Sequence, residues 1–188
     1  MEKKSEWMTS LSGANLVPKT HGRITFRGVI DTLEAEVIEA QVLAAGGSSG
    51  SKEPAGSVEA DVCACLGEIL EYLRAVIAAE VKESPLAPPF LFGMDAEEIH
   101  RRSHEAYISD AGGKPLLPVY TNGPLAARLN TLRAKVREAE LLAVRVFGPA
   151  SAEETPEGHS RRNDIILGMN RLSSALWWLY CDYLHRKK

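Results

Sequence analysis

Arg133, Arg137 and Glu140 carry the strongest chemical signal in this sequence. At 3.6 residues per turn, spacings of four and three put all three on one side of a helix, in successive turns. Two guanidiniums one turn apart can neutralise charge on an anion, and the acid can orient one of them. The same spacing also suits a solvated face carrying an Arg137–Glu140 pair worth a few tenths of a kcal/mol. Arg128 and Lys135 are close in sequence but project elsewhere. A second polar signal is Asn170, which interrupts the apolar neighbourhood of Ile166, Leu167, Met169 and Leu172. It reads as a core amide bonded to a carbonyl or as an amide held at a ligand's polar edge. Asp31 lies in the largely apolar stretch FRGVIDTLEAEV and either faces solvent or meets an arginine of another helix or subunit. His100 and His104, at i and i+4, have the spacing of a shared metal site, but no third ligand is apparent. No structural zinc is expected. Arg171 alone reads as an exposed base. No Ser–His–Asp or Cys–His grouping argues for nucleophilic catalysis.

Helices must position these groups. Phe26, Val29, Ile30, Leu33 and Val37 recur at helical spacing, and that helix stops before Gly46-Gly47. A second helix starts near Ser57, a suitable N-cap, carries Val62, Leu66, Ile69, Leu70, Leu73, Val76 and Ile77, and ends before Pro85. A shorter helix follows from Asp95. Pro124 opens a third long helix whose inner face is Leu125, Leu129, Leu132, Val136, Ala143, Val144 and Phe147. The last long helix runs from about Arg162 to Leu184, with Ile165, Ile166, Met169, Leu172, Leu176, Trp177 and Tyr180 inward. Strand signals are nearly absent. The expected fold is all-α: four long helices plus a short one in a helical bundle. Residues 1–20 read as an irregular N-terminal segment and 21–188 as one domain, with flexible loops near 46–56 and 148–160.

Length and composition fit this reading. The chain has 188 residues, a formal net charge of −3, 45% apolar and 25% charged residues. That balance argues against a broad nucleic-acid or membrane-surface interaction. Cys63, Cys65 and Cys181 cannot all pair within one chain, and the start Met1-Glu2-Lys3-Lys4-Ser5 is polar. A cytoplasmic protein with reduced thiols is expected.

Taken together, the segments LNTLRAKVREAE (129–140) and ILGMNRLSSALW (166–177) resemble the ATP:corrinoid adenosyltransferases, especially the ethanolamine-utilisation branch. That family carries an R-x-x-x-R-x-x-E helix and a final helix with N-R-L-S. RITFRGVIDTLEAEV (23–37) is similar to its first helix. Ile99-His100-Arg101-Arg102-Ser103-His104 matches the branch's I/L-H-R-x-S-H segment. The motifs occur in the family's order from about residue 20 onward. The resemblance implies a five-helix-bundle transferase that moves the 5′-deoxyadenosyl group of ATP, with Mg²⁺, to cob(I)alamin. It further implies ATP contacts by Arg133, Arg137, Glu140 and Asn170, with the two arginines catalytic. A homotrimer with sites between subunits, an Asp31–Arg133 contact across that interface, and association with a bacterial microcompartment are also implied. The alternatives are a non-catalytic helical scaffold and a corrinoid-binding homologue without activity.

The sequence departs from the family at three places. It lacks the T-R-x-G-D-x-G-x-T phosphate segment; Lys19, Thr20, Arg23 and Arg27 stand in that region and are expected to contact phosphates. Where the best-studied branch has F-x-L-P in a turn, this chain has Pro115-Leu116-Leu117-Pro118. Phe90 or Phe92 is expected to supply the aromatic on the corrinoid side, along with His100 and His104. Cys63-Ala64-Cys65 does not match the C-C-x-x-C cluster of the ethanolamine branch.

Overall fold

The computed structural model describes residues 5–46, 56–109, 117–149 and 162–187. Five helices dominate: α1 (Gly22–Ala44), α2 (Val58–Lys82), α3 (Ala96–Ser109), α4 (Pro124–Phe147) and α5 (Asn163–Arg186). Local chemistry sets their starts. The Ser57 hydroxyl accepts from Ala60 N at 3.1 Å, and the Asp95 carboxylate accepts from Glu98 N at 2.8 Å. Pro124 occupies the first turn of α4, directly after Gly123 at φ +88°. A short 3-10 turn, Tyr120–Asn122, leads into α4, and Asn122 Nδ2 ties it to the Tyr180 hydroxyl of α5 at 2.9 Å.

Four long helices form a ring in which every neighbour is antiparallel. α1 packs on α2 and α4, α5 completes the ring between them, and α3 lies outside against α5. Contacts between ends fix these directions: Phe26 meets Phe147 edge-on at 5.2 Å, and Arg186 of α5 pairs with Asp61 of α2 at 2.5 Å. Phe26, Ile30, Leu33, Leu66, Ile69, Leu73, Leu129, Leu132, Ile165, Met169 and Leu172 are buried within the ring. Close helix approach requires Gly168, because a Cβ there would stand 2.5 Å from the Tyr72 hydroxyl of α2.

Two expectations are corrected. The segment read as irregular contains a hairpin, with β1 (Met8–Ser12) antiparallel to β2 (Asn15–Pro18). Its alternation is too short to register as a period, and only Leu11 among the strand residues is buried. Gly13, at φ +53°, supplies the left-handed turn residue. Val144, assigned to the inner face of α4, is exposed. Its neighbour Ala143 takes the core position, and one further residue rotates the side chain about 100° away. Most of the loops expected near 46–56 and 148–160 lies outside the described residues, as do Pro115 and Leu116.

A buried carboxylate joins α1 to α2. Glu80 is fully buried, and its two oxygens accept separately from Arg23 Nε and Arg27 Nε. Arg23 also reaches Glu83 at 2.7 Å and the Glu80 carbonyl at 2.9 Å. Arg162 donates to the carbonyls of Ala79 and Ser84 and so brings the start of α5 to the same corner. Removing one partner of a buried pair leaves uncompensated charge, so Glu80→Ala is expected to cost about 3 kcal/mol of stability. Urea unfolding followed by circular dichroism measures this; a midpoint equal to wild type would remove the network from the fold's support.

Candidate functional site

α4 and α5 run antiparallel with their polar stripes in register. Arg133, Arg137 and Glu140 along α4 oppose Trp177, Ser173 and Asn170 along α5. Both stripes advance by four and three residues, so the pairing persists over two turns. The Arg133 guanidinium carbon stands 5.3 Å from the Trp177 ring centroid, within cation–π range. Arg133 Nε also donates to Asn130 Oδ1 at 3.2 Å. At the other end of the stripe, Asn170 Nδ2 donates to Glu140 Oε1 at 2.7 Å.

An open cleft of about 520 Å³ lies over the Arg133–Arg137 part of this stripe; Glu140 and Asn170 are not among its lining residues. Its lining includes Arg133, Arg137, Ser173, Ser174 and Trp177, closed on one side by Ser103 and His104 of α3 and by Leu117 and Pro118. Such a volume falls in the ordinary range for small-molecule sites. Its electrostatics are one-sided. Arg128 and Lys135 turn toward α1 and pair with Glu39 and Glu36. Neither Arg133 nor Arg137 forms an ion pair with a carboxylate of the described residues. Burial, and then the like charge of Arg137, push the Arg133 pKa down. Arginine stays protonated through such a shift.

The other sequence-predicted residues fall elsewhere. His104 lines the cleft, while His100 is exposed, with its ring centroid 4.6 Å from that of His104. Among the described residues, no group of three or more His, Cys, Asp or Glu stands together as a metal site. Lys19 and Thr20 are exposed ahead of α1, and Arg23 and Arg27 are engaged by Glu80; none of the four lines the cleft. Asp31 is exposed on α1, and no contact joins it to Arg133 within the chain. Phe90 is exposed. Phe92 stacks on Trp178 at 5.8 Å and does not line the cleft. A smaller cavity of about 230 Å³ beside Trp178, lined by Arg102, Cys181 and His185, contains none of the predicted site residues.

Sequence reading missed Ser103, Ser173 and Ser174 as lining residues and placed Trp177 with the core. The signal was present: Asn170, Ser173, Ser174 and Trp177 have the same four-and-three spacing as Arg133, Arg137 and Glu140. Only the antiparallel pairing of the two helices gives that coincidence meaning.

A family model described as Cobalamin adenosyltransferase matches residues 2–183. The chain belongs to the cobalamin adenosyltransferase family. Relatives include the corrinoid adenosyltransferase EutT of Escherichia coli (strain K12) and that of Salmonella typhimurium (strain LT2). Each is 33% identical over 175 residues, covering 93% of this chain and 58% of the relative. The chain therefore spans less than two thirds of the length of these relatives. No solved structure matches it. Family membership and the EutT-type likeness agree with the resemblance carried by the two arginine- and asparagine-bearing helices.

Proposed function

We propose that this chain transfers the 5′-deoxyadenosyl group of ATP to cob(I)alamin, releasing triphosphate, with the α4–α5 cleft as the nucleotide site. The observation that carries the reading is the pair of arginines, one turn apart and without carboxylate partners among the described residues, facing a cleft of nucleotide size. Family membership supports the reaction class. In this reaction the cobalt nucleophile forms a bond to C5′, the C5′–O bond breaks, and its electron pair leaves on triphosphate. The nucleophile carries no proton, so no general base is required. Arg133 and Arg137 stabilise charge growing on the leaving group. Asn170, held by Glu140, fixes the nucleotide's orientation and contributes through position alone.

The cleft lining includes no carboxylate among the described residues. An all-protein Mg²⁺ site does not fit there, so magnesium would enter only as the nucleotide's own counter-ion. The corrinoid would approach from the side of His104, Leu117 and Pro118. Arg23 and Arg27, committed to Glu80, are poorly placed as phosphate ligands within this chain; an inactive corrinoid-binding homologue is therefore the second reading. No helix among the described residues is long and apolar enough to cross a membrane.

Anaerobic mixing of the protein with ATP and chemically reduced cobalamin tests the reaction through the corrinoid spectrum. Adenosylcobalamin is the expected product. Binding without product would favour the inactive homologue, and no response would favour a scaffold. Loss of one preorganised charge donor lowers rates by about 10²–10³, the effect expected for Arg137→Ala with the helical fold retained. Wild-type turnover of that variant at saturating ATP would refute the role.

The proposal extends to a homotrimer with sites between subunits. Ile38 and Val42 on α1 and Leu141 and Val144 on α4 are exposed apolar side chains, and a second copy would cover them. Asp31 would then meet the neighbour's Arg133. Asp31→Ala is expected to weaken assembly on gel filtration or to raise the KM for ATP. A fully active trimer would take Asp31 out of the site.

A further inference from the structure

We propose that Arg171 is a positioning residue that holds the Asn170 amide against Glu140 and thereby keeps Arg137 free for an anion. The role rests on reading the α4–α5 cleft as a nucleotide site.

The geometry is a three-member relay. Glu140 Oε1 accepts from Asn170 Nδ2 at 2.7 Å, and Asn170 Oδ1 accepts from Arg171 Nη1. Chemistry fixes the amide's direction, since a carboxylate can only accept and a guanidinium can only donate. Arg171 is therefore not the exposed base suggested by its sequence neighbours. It is half-buried, and its Nε is buried without a hydrogen-bond partner. Neighbouring residues on a helix do not normally face each other, so a side chain curled back one position, with a donor left unpaired, marks a specific contact.

The consequence falls on Arg137. Glu140 lies three residues further along α4, the spacing of an ordinary surface ion pair. Asn170 draws that carboxylate toward α5, and the Arg171 charge beyond the amide balances it. Without Arg171, the amide loses its second anchor and is free to rotate. Glu140 can then turn to Arg137 and neutralise a cation that the leaving triphosphate requires.

Two measurements test this on the full chain. In ¹⁵N-labelled protein, the Asn170 side-chain NH₂ signals, assigned by their loss in Asn170→Ser, are expected to be exchange-protected. They should lose that protection in Arg171→Ala. ATP binding by calorimetry is then compared across wild type, Arg171→Ala, Glu140→Gln and the double variant. Arg171→Ala is expected to weaken ATP by roughly tenfold in the wild-type background and by less than about twofold in Glu140→Gln, where no carboxylate remains to capture Arg137. A purely structural arginine would produce equal losses in both backgrounds, and that result, or no loss, overturns the proposal. Unchanged NH₂ signals in Arg171→Ala overturn it as well. If Arg171→Ala does not retain the helical circular dichroism spectrum, Arg171→Lys, which keeps the charge but not the planar fork, carries the same comparison. Wild type that fails to bind ATP while the NH₂ signals behave as expected overturns the nucleotide reading and leaves the relay standing as a contact.

Discussion

Glu140 has two ways to satisfy its charge, and the packing of α4 against α5 decides between them. Within its own helix, Arg137 stands at ion-pair spacing. Across the helix interface, Asn170 offers a donor at 2.7 Å. The carboxylate takes the second, and the amide passes its dipole on to Arg171. Two guanidiniums on α4 are left facing a cleft without a carboxylate partner among the described residues. Like charges one turn apart repel, and burial of Arg133 adds to the penalty. Such an arrangement is explained most simply by an anion that restores the balance when it binds.

The rest of the bundle serves this register. The Phe26–Phe147 contact and the pairs of Arg128 and Lys135 with α1 fix the rotation of α4, directing its other polar face to the cleft. Gly168 admits α5 close to α2, two residues before Asn170. The corner formed by Glu80, Arg23, Arg27 and Arg162 ties three helix ends together at the start of α5. Arg23 and Arg27 thus change meaning between sequence and structure, from phosphate candidates to structural counter-ions of a buried acid.

Helical periodicity made most of the fold legible. The Ser57 cap, Pro124 and the stripes of Leu and Ile located all four long helices, because each helix buries one continuous face. The hairpin escaped because four- and five-residue strands with one buried side chain leave no pattern to read. Arg133, Arg137, Glu140 and Asn170 were singled out as a group only through family likeness, since spacing alone suits a solvated face equally well. Trp177 and the serines were not, because a lining residue and a core residue on the same helix face have the same period. The partner of Glu140 was not legible either, since a within-helix pair and a cross-helix bond look alike until two helices are set in register.

The central claim is that unpaired cationic groups in the α4–α5 cleft bind the polyphosphate of ATP. Competition between ATP and inorganic tripolyphosphate, followed by calorimetry at several ionic strengths, tests it most directly. The account predicts that tripolyphosphate displaces ATP and that both bind more weakly as salt rises. ATP binding that persists under saturating tripolyphosphate, or that ignores ionic strength, would contradict it.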